Sequence, residues 1–246
     1  MQVSPFREME LQRIADLIRI MPTGGEIALD VGTRDGHVAK RLVERFKAVT
    51  ALDLAELSIA HPTIVCVRGN VTALPFKDNS FDLVVCTEVL EHISSEMLRK
   101  ACNELVRVSR NHVLVGVPYK QDIRVGRTTC HSCGAHNPPW GHVNIFDEPR
   151  LVTLFDDVIV DTVSFAGKNN TSTNFVSTVL TDLAGNPYGT YEQVEPCIRC
   201  GARLSAPPSR TLMQKVLTKI GFRLAKATGL FIRSRPYWIH LLLRKQ

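Results

Sequence analysis

Five short apolar segments, separated by helix-like and turn segments, constrain the fold of this chain more than any other feature. They cover residues 26–31, 48–52, 63–67, 81–86 and 112–117. Apolar residues at helical spacing occupy three of the intervening or flanking stretches, at 7–21, 37–46 and 96–108. Strands that are apolar on both faces are typical of a parallel sheet covered by helices on both sides. The sequence therefore predicts a doubly wound α/β fold.

The second half of the chain adds two strands and three helices to this pattern. Strands are predicted at 158–165 and 237–243, and helices at 148–155, 175–183 and 212–230. Asp147 and Pro149 form a typical start for the first of these helices. We expect a single domain over residues 1–246 with a mostly parallel, seven-stranded sheet. Two insertions, 119–146 and 185–210, would follow the fifth and sixth strands.

Charge is distributed unevenly along the chain. Residues 196–246 contain eleven Lys or Arg and no Asp or Glu, whereas residues 1–195 contain 19 basic and 24 acidic residues. This asymmetry suggests an anionic partner for the C-terminal part: a lipid surface, a nucleic acid or a charged substrate. No apolar run reaches the roughly 20 residues of a membrane span, and the first residues lack an export signal. We therefore expect a cytoplasmic protein, with peripheral membrane contact as a further option.

The turn after the first strand has features of a nucleotide-type site. In this turn, Asp30 to Gly36, Gly32 permits a tight bend and Gly36 lets the next helix pack down on the sheet. Asp53 ends the second strand 23 residues after Asp30, where a carboxylate can accept hydrogen bonds from ribose hydroxyls. The alternatives are ordinary turn glycines and a solvated aspartate. A nicotinamide dehydrogenase is disfavoured because the turn lacks the middle glycine that pyrophosphate approach favours.

The next segment carries a family resemblance. Gly69–Ile93, GNVTALPFKDNSFDLVVCTEVLEHI, resembles the class I S-adenosylmethionine-dependent methyltransferases, especially their ubiquinone-pathway branch. The resemblance covers about 25–118 and implies S-adenosylmethionine as methyl donor. This chain differs from the family at Arg34, where the family usually has glycine, and at Asn70, where aspartate is commoner. The cofactor contacts that the resemblance implies are Asp30, Gly32, Arg34, Gly36, Asp53, Leu54, Asn70, Val71 and Thr87.

Candidate catalytic groups follow the fourth strand. If the turn there begins a helix, Glu88, Glu91 and His92 converge from positions i, i+3 and i+4. His142 lies in a later segment, Trp140–Phe146, that is expected on the same side. This set resembles the metal site of the small-RNA 2′-O-methyltransferases and would bind Mg²⁺ or Mn²⁺ to acidify an acceptor hydroxyl. In the alternative, no ion binds: Glu91-His92 is a common helix start, His92 is hydrogen-bonded within the domain or acts as a general base, and His142 is a general base or a substrate contact.

Two Cys-x-x-Cys-Gly motifs predict a structural zinc site. They place Cys130 and Cys133 after the fifth strand, and Cys197 and Cys200 after the sixth. Four thiolates are the ligand set of a closed tetrahedral zinc site, which leaves no position for substrate. We expect zinc to join the two insertions into a cap over the acceptor site. The alternative is two independent, reduced loops.

The helix at 212–230 is predicted to be amphipathic and basic. Its apolar residues are Met213, Val216, Leu217, Ile220 and Leu224, and its basic residues are Lys215, Lys219, Arg223 and Lys226. Such a helix can lie on an anionic membrane, or pack on the cap with a solvated lysine face. The leading hypothesis is O-methylation of a small-molecule, sugar or lipid-linked acceptor. The alternatives are an RNA-directed methyltransferase and a zinc-stabilised, cofactor-binding scaffold without activity.

Overall fold

A computed structural model describes residues 5–207, 209–229 and 233–246 of the chain. The chain divides into two compact units. The first comprises the residues up to Lys120, Phe146–Lys168 and Pro236–Gln246, and the second comprises Gln121–Ile145 and Asn169–Arg235. The second unit therefore includes nearly all of the first expected insertion, all of the second, and the helices on either side of the second.

The first unit contains the seven-stranded sheet that the sequence predicted. Its strands are β1 (Gly25–Val31), β2 (Phe46–Asp53), β3 (Ile64–Arg68), β4 (Phe81–Thr87), β5 (Ser109–Pro118), β8 (Val158–Ala166) and β9 (Trp238–Lys245). The order across the sheet is β3-β2-β1-β4-β5-β9-β8. The first five strands pair in parallel, and β9 runs antiparallel to both β5 and β8. The doubly wound, mostly parallel fold is confirmed.

Helices cover both faces of this sheet because its strands are apolar on both sides. They are α1 (Pro5–Ile20), α2 (His37–Leu42), α3 (Ser95–Val108) and α4 (Glu148–Val152). Leu98, Cys102 and Leu105 of α3 pack against one face, and Leu17 of α1 and Leu42 of α2 pack against the other. The predicted start of α4 is confirmed, because the Asp147 carboxylate accepts the backbone N–H of Arg150 at 3.0 Å.

Two local predictions differ from the structure. Helix α2 ends at Leu42 rather than near residue 46, because Phe46 pairs with Gly25 as the first residue of β2 and its ring enters the core. The turn after β4 is not the start of an α-helix. Glu88 has a left-handed backbone (φ 58°), and only a short 3₁₀ turn, Leu90–His92, follows it.

The second unit combines a small hairpin with a helix pair. The hairpin consists of β6 (Thr128–Thr129) and β7 (His136–Asn137), and the helices are α5 (Phe175–Leu183) and α6 (Leu212–Gly229). Helix α6 ends within the predicted 212–230; residue 230 lies outside the described residues. The helices approach closely at Gly221, where an added Cβ would lie 3.0 Å from Thr181 Cγ2. Asn174 caps α5 and donates to Thr228 Oγ1 of α6 at 2.6 Å, which joins the two helices.

Candidate functional site

The candidate site begins where the strand order reverses. β1 lies between β2 and β4, and the three parallel strands end at Val31, Asp53 and Thr87 on one edge of the sheet. In open α/β sheets, ligands bind outside the carboxyl ends of the strands at this reversal. The residues predicted for cofactor binding lie at or just after the ends of these strands and of β3: Asp30, Gly32, Arg34, Gly36, Asp53, Leu54, Asn70, Val71 and Thr87.

Gly32 and Gly36 give the turn after β1 its shape. Gly32 has φ 74°, and an added Cβ would overlap Val89 Cγ2 of the turn after β4. Gly36 has φ 77° and caps α2, and an added Cβ would lie 2.7 Å from Ile59 Cδ1. The lack of a side chain at Gly36 therefore leaves space for the loop after β2. From the sequence we expected it to let the helix pack on the sheet instead. Both positions require glycine for conformation and for space.

Asp30, near the end of β1, stabilises the turn that follows this strand. It is only 1% exposed, and the hydroxyl of Thr33 donates to its Oδ2 at 2.5 Å. Burial raises the pKa of Asp30 to about 6, against opposing hydrogen bonds from Thr33 and the backbone of Ala39. Asp30 therefore fixes the turn conformation through contacts within the protein.

Asp53 presents a carboxylate that the backbone orients. The N–H of Arg34 donates to Asp53 Oδ2 at 3.0 Å, and the N–H of Ala55 donates to Oδ1 at 3.1 Å. Each oxygen keeps a further lone pair, so the group can still accept two hydroxyl protons. Arg34 has the left-handed backbone (φ 51°) that glycine would adopt readily, which explains how the chain forms this turn without a glycine there.

The next predicted contacts, Leu54, Asn70 and Val71, follow the ends of β2 and β3. Leu54 is 64% exposed, whereas Val71 is buried. Asn70 Oδ1 accepts both the backbone N–H (2.9 Å) and the hydroxyl (3.0 Å) of Thr72. Because a backbone N–H can only donate, this contact fixes the amide orientation and directs Nδ2 outward as a donor. Asn70 thus offers a ligand a donor, where aspartate would offer an acceptor.

Thr87 and Glu88 form the other side of the reversal. Thr87 pairs with Gly116, and the N–H of Glu88 donates to the Gly116 carbonyl at 2.9 Å. Oε1 of Glu88 is buried without a hydrogen-bond partner among the described residues. Burial raises the pKa of Glu88 to about 7, with the positive charge of Arg13 opposing it. A carboxyl group with that pKa can exchange a proton near neutral pH.

Glu91 and His92 lie together on the 3₁₀ turn. Glu91 is fully buried, and neither carboxylate oxygen has a partner within the described part of the chain. Burial and then the charge of Glu88 raise the pKa of Glu91 well above its usual value. One of its oxygens lies within 4.8 Å of a ring nitrogen of His92. This donor set, a carboxylate and an imidazole, fits a divalent ion.

His142 belongs to the second unit. It is 7% exposed, and its Nδ1 lies 2.6 Å from the amide oxygen of Gln121. The amide oxygen can only accept, so Nδ1 of His142 is the donor in this contact.

Sequence reasoning missed the polar groups that α1 contributes to the first unit. The guanidinium of Arg13 is 11% exposed and bonded to Glu10 at 3.0 Å, while its Nε and Nη1 have no partner among the described residues. The spacing of Arg13 in the sequence could have revealed this, because Arg13 lies four residues from both Met9 and Leu17, on the apolar side of the helix. A charge on such a stripe indicates a buried polar site rather than a solvated face.

The four cysteines converge, as the two motifs predicted. Within the second unit, Cys130 Sγ lies 3.7 Å from Cys200 Sγ, and Cys133 Sγ lies 3.6 Å from Cys197 Sγ. A tetrahedral ion with sulfur ligands at about 2.3 Å has sulfur–sulfur edges of about 3.8 Å. The donor set and its spacing therefore fit zinc, and the alternative of two independent loops is wrong.

The two knuckles are local copies of one another. Gly134 N–H donates to the Cys130 carbonyl and Gly201 N–H to the Cys197 carbonyl, both at 2.9 Å, and each glycine has φ 70°. Burial raises the pKa of the Cys197 thiol, but N–H groups of Arg199 and Cys200 donate to its sulfur and bring that pKa to about 6. Backbone donors thus favour the thiolate form that a metal requires.

None of the described helices is both long and apolar enough to cross a membrane.

Comparisons with known proteins agree with this geometry. Residues 29–115 match the methyltransferase domain family. The ubiquinone biosynthesis O-methyltransferase of Chromobacterium violaceum is 28% identical over 120 residues, which are 43% of this chain and 50% of that protein. The demethylmenaquinone methyltransferase of Renibacterium salmoninarum is 32% identical over 102 residues, 39% of this chain and 41% of that protein. The chain spans half or less of the length of these relatives.

Solved structures share the fold over nearly the whole chain. The N-methyltransferase NodS of Bradyrhizobium japonicum is 12% identical, with a TM-score of 0.54 and coverage of 97% of both chains. Its complex with S-adenosyl-L-homocysteine gives a TM-score of 0.50 at 11% identity, covering 98% of this chain and 88% of that one. Residues 29–115 are therefore a methyltransferase-type segment, and the sheet that carries them has the class I methyltransferase fold.

Proposed function

We propose that this protein is an S-adenosylmethionine-dependent methyltransferase. The observation that carries the proposal is the oriented carboxylate of Asp53 beside the Gly32 turn, at the sheet edge where the family match lies. Asp53 would accept the ribose hydroxyls, Asn70 Nδ2 would donate to a ring nitrogen of adenine, and Leu54 and Val71 would contact the adenine faces. Methyl transfer then requires the acceptor to be held in line with the sulfonium.

Transfer of a labelled methyl group tests this proposal directly. The purified full chain is incubated with methyl-labelled S-adenosylmethionine and hydroxyl-bearing quinol precursors, sugars, lipid-linked sugars or RNA. Label in one acceptor class supports the enzyme and identifies the class. Cofactor binding without transfer to any of them supports the alternative, a zinc-stabilised scaffold.

We favour a hydroxyl on a small molecule, sugar or lipid-linked compound as the acceptor. The support is the activity of one relative, an O-methyltransferase of ubiquinone biosynthesis. A hydroxyl must lose its proton during transfer, and Glu88 has a pKa of about 7, which suits proton acceptance near neutral pH. His142 is the second candidate base that we predict from the sequence.

In the first unit, Glu91 and His92, with Glu88, are the residues that would hold Mg²⁺ or Mn²⁺. The support is the close pair of Glu91 oxygen and His92 nitrogen and the two buried, unpartnered oxygens of Glu91. A bound divalent ion lowers the pKa of a coordinated hydroxyl. The protein would keep these donors buried and in fixed positions, and the 3₁₀ turn does this for Glu91.

The cysteine cluster is proposed as a structural zinc site. Cys130 and Cys197 are each 2% exposed, so the cluster forms a small core of its own with Leu204. A site with four thiolates is closed to substrate. Zinc would therefore stabilise the second unit and take no part in methyl transfer.

Helix α6 supports a peripheral contact with an anionic membrane. Its predicted apolar face is solvent-exposed, with Met213 at 71% and Val216 at 50%, because the helix packs on α5 through Thr218 and Gly221 instead. The helix carries four basic residues and no acidic one. Apolar side chains beside lysines suit a negatively charged lipid surface. Sedimentation with anionic but not neutral vesicles would support this contact, whereas salt-dependent binding of RNA alone would favour the RNA-directed alternative.

A further inference from the structure

A cavity inside the second unit belongs to none of the sites described above. It has a volume of about 480 Å³, within the range of small-molecule sites. Its walls come from α5, α6 and three loop segments, 124–127, 170–173 and 186–189. On α6 the lining residues are Thr218, Gly221, Phe222, Ala225, Lys226 and Gly229. They recur at helical spacing on the side opposite Val216 and Ile220, so the cavity is distinct from the exposed apolar face.

The cavity is built by a fixed framework rather than by loose loops. The Asp122 carboxylate accepts the N–H of Thr173 at 2.8 Å and its hydroxyl at 2.7 Å, which ties the first loop segment to the second. Thr190 N–H donates to the Gly126 carbonyl at 2.8 Å, which ties the first to the third. A site whose walls are held in this way loses little entropy on binding.

The walls are apolar in character, although many lining residues have hydroxyl groups. Thr181 Oγ1 donates to the Ser177 carbonyl at 3.0 Å, and Thr218 Oγ1 donates to the Gln214 carbonyl at 2.7 Å. These hydroxyls are satisfied within the helices, so the threonines offer the cavity their methyl groups. Tyr188 and Phe222 add an aromatic pair with ring centroids 5.4 Å apart. Such walls suit an alkyl chain or an aromatic ring.

The charge of the lining is entirely positive. Arg124, Arg127 and Lys226 line the cavity, and no lining residue is acidic. The two arginines are neutralised by Asp122 at 2.7 Å and Asp182 at 2.9 Å. Lys226, by contrast, makes no ion pair with any described residue, and α6 itself has no acidic residue. An exposed ammonium group beside apolar walls is complementary to a ligand with one anionic group.

We propose that this cavity binds an amphipathic anion, an alkyl or aryl body that carries a phosphate or carboxylate group. The apolar body occupies the space between α5 and α6 against Phe222 and Ala225. The anionic group pairs with Lys226. The inference does not depend on methyl transfer, since it concerns the second unit alone.

Decyl phosphate, used below its micelle concentration, is a suitable probe for calorimetry with the full chain. We expect binding of one molecule per chain, with inorganic phosphate and decyltrimethylammonium at least tenfold weaker. Phosphate alone lacks the apolar body, and the ammonium compound has the wrong charge. Equal binding of either control compound would overturn the proposal.

Three substitutions on α6 locate the ligand. Lys226→Glu reverses the charge at the cavity and should weaken decyl phosphate binding at least tenfold. Lys219→Glu makes the same change on the same helix outside the lining and should leave binding within about twofold. Ala225→Leu fills the cavity while keeping a good helix former, so it should also weaken binding at least tenfold. If Lys219→Glu weakens binding as much as Lys226→Glu, or if Ala225→Leu has no effect, the ligand is not in this cavity.

Discussion

The backbone N–H of Arg34 donates to Oδ2 of Asp53 at 3.0 Å, so the turn after β1 and the end of β2 form one structure. Asp53 is therefore both an orienting group for the turn and the proposed acceptor for ribose. This double role means that the carboxylate is placed before any ligand arrives. A ligand then meets a preorganised site, which lowers the entropic cost of binding.

Substitution of Gly32 tests the turn. In Gly32→Ala the new Cβ overlaps Val89 Cγ2, and the left-handed backbone is strained as well, so we expect a loss of stability of about 2–4 kcal/mol. Gly134→Ala is the matched control, because Gly134 has φ 70° but open space around the added Cβ, and it should cost only about 1–2 kcal/mol. Urea unfolding measures both. Adding Val89→Ala to Gly32→Ala should recover part of the loss; no coupling between the two positions would contradict the overlap.

Asp30 should make the stability of the fold depend on pH. Its pKa is about 6 in the folded chain and 3.8 as the ordinary value, so the unfolded state ionises first and stability falls as pH rises from about 4 to 6. Asp30→Asn should therefore stabilise the protein at pH 7, by on the order of 2–3 kcal/mol, and have little effect at pH 4. Asp35→Asn, in the exposed part of the same turn, should change stability by less than about 0.5 kcal/mol at either pH. Equal effects of Asp30→Asn at pH 4 and pH 7 would show that Asp30 is not a strained carboxylate.

The cysteine cluster predicts about one zinc per chain by elemental analysis. Cys130→Ser and Cys197→Ser should each release the ion, since either removes one of four ligands. Cys66→Ser, outside the cluster on β3, should retain it. Retention of a full complement of zinc by both Cys130→Ser and Cys197→Ser would mean that the ion is bound elsewhere.

The divalent-ion proposal predicts a separation of rate from cofactor affinity. A chelator that leaves the thiolate-bound zinc in place should abolish methyl transfer, and Mg²⁺ or Mn²⁺ should restore it. Glu91→Gln should lose most of the rate yet bind S-adenosylmethionine normally, because Asp53 and the Gly32 turn are unchanged. Glu96→Gln, at an exposed position on α3, is the control and should keep full activity. Turnover of the wild-type protein in the presence of chelator would leave Glu88 or His142 as a simple base.

The strands and the conformation of the turn after β1 could be predicted because their signals are local. Apolar runs mark β1 to β5, and Gly32, Gly36 and Asp53 lie at fixed distances from strand ends. The convergence of the four cysteines could also be predicted from the sequence, because two identical Cys-x-x-Cys-Gly motifs are a strong signal for one metal site.

The rest depends on contacts between distant segments. The exposed face of α6 could not be predicted, because the helix packs on α5 through small residues, Thr218 and Gly221, rather than through its apolar stripe. The buried hydrogen bond between His240 Nδ1 and Asp16 Oδ2, at 2.7 Å, joins α1 to β9 across almost the whole sequence. Glu88, which has a left-handed backbone, likewise donates its N–H to Gly116 on the neighbouring strand.

Calorimetric titration of S-adenosylmethionine into the wild-type chain and Asp53→Ala tests the central claim most directly. We predict one site per chain in the wild-type protein and no tighter binding of nicotinamide dinucleotide. Asp53→Ala removes a charge-assisted pair of hydrogen bonds, which costs on the order of 2–4 kcal/mol. The affinity should therefore fall roughly 30- to 1,000-fold. Tighter binding of nicotinamide dinucleotide than of S-adenosylmethionine, or an unchanged affinity in Asp53→Ala, would contradict the account.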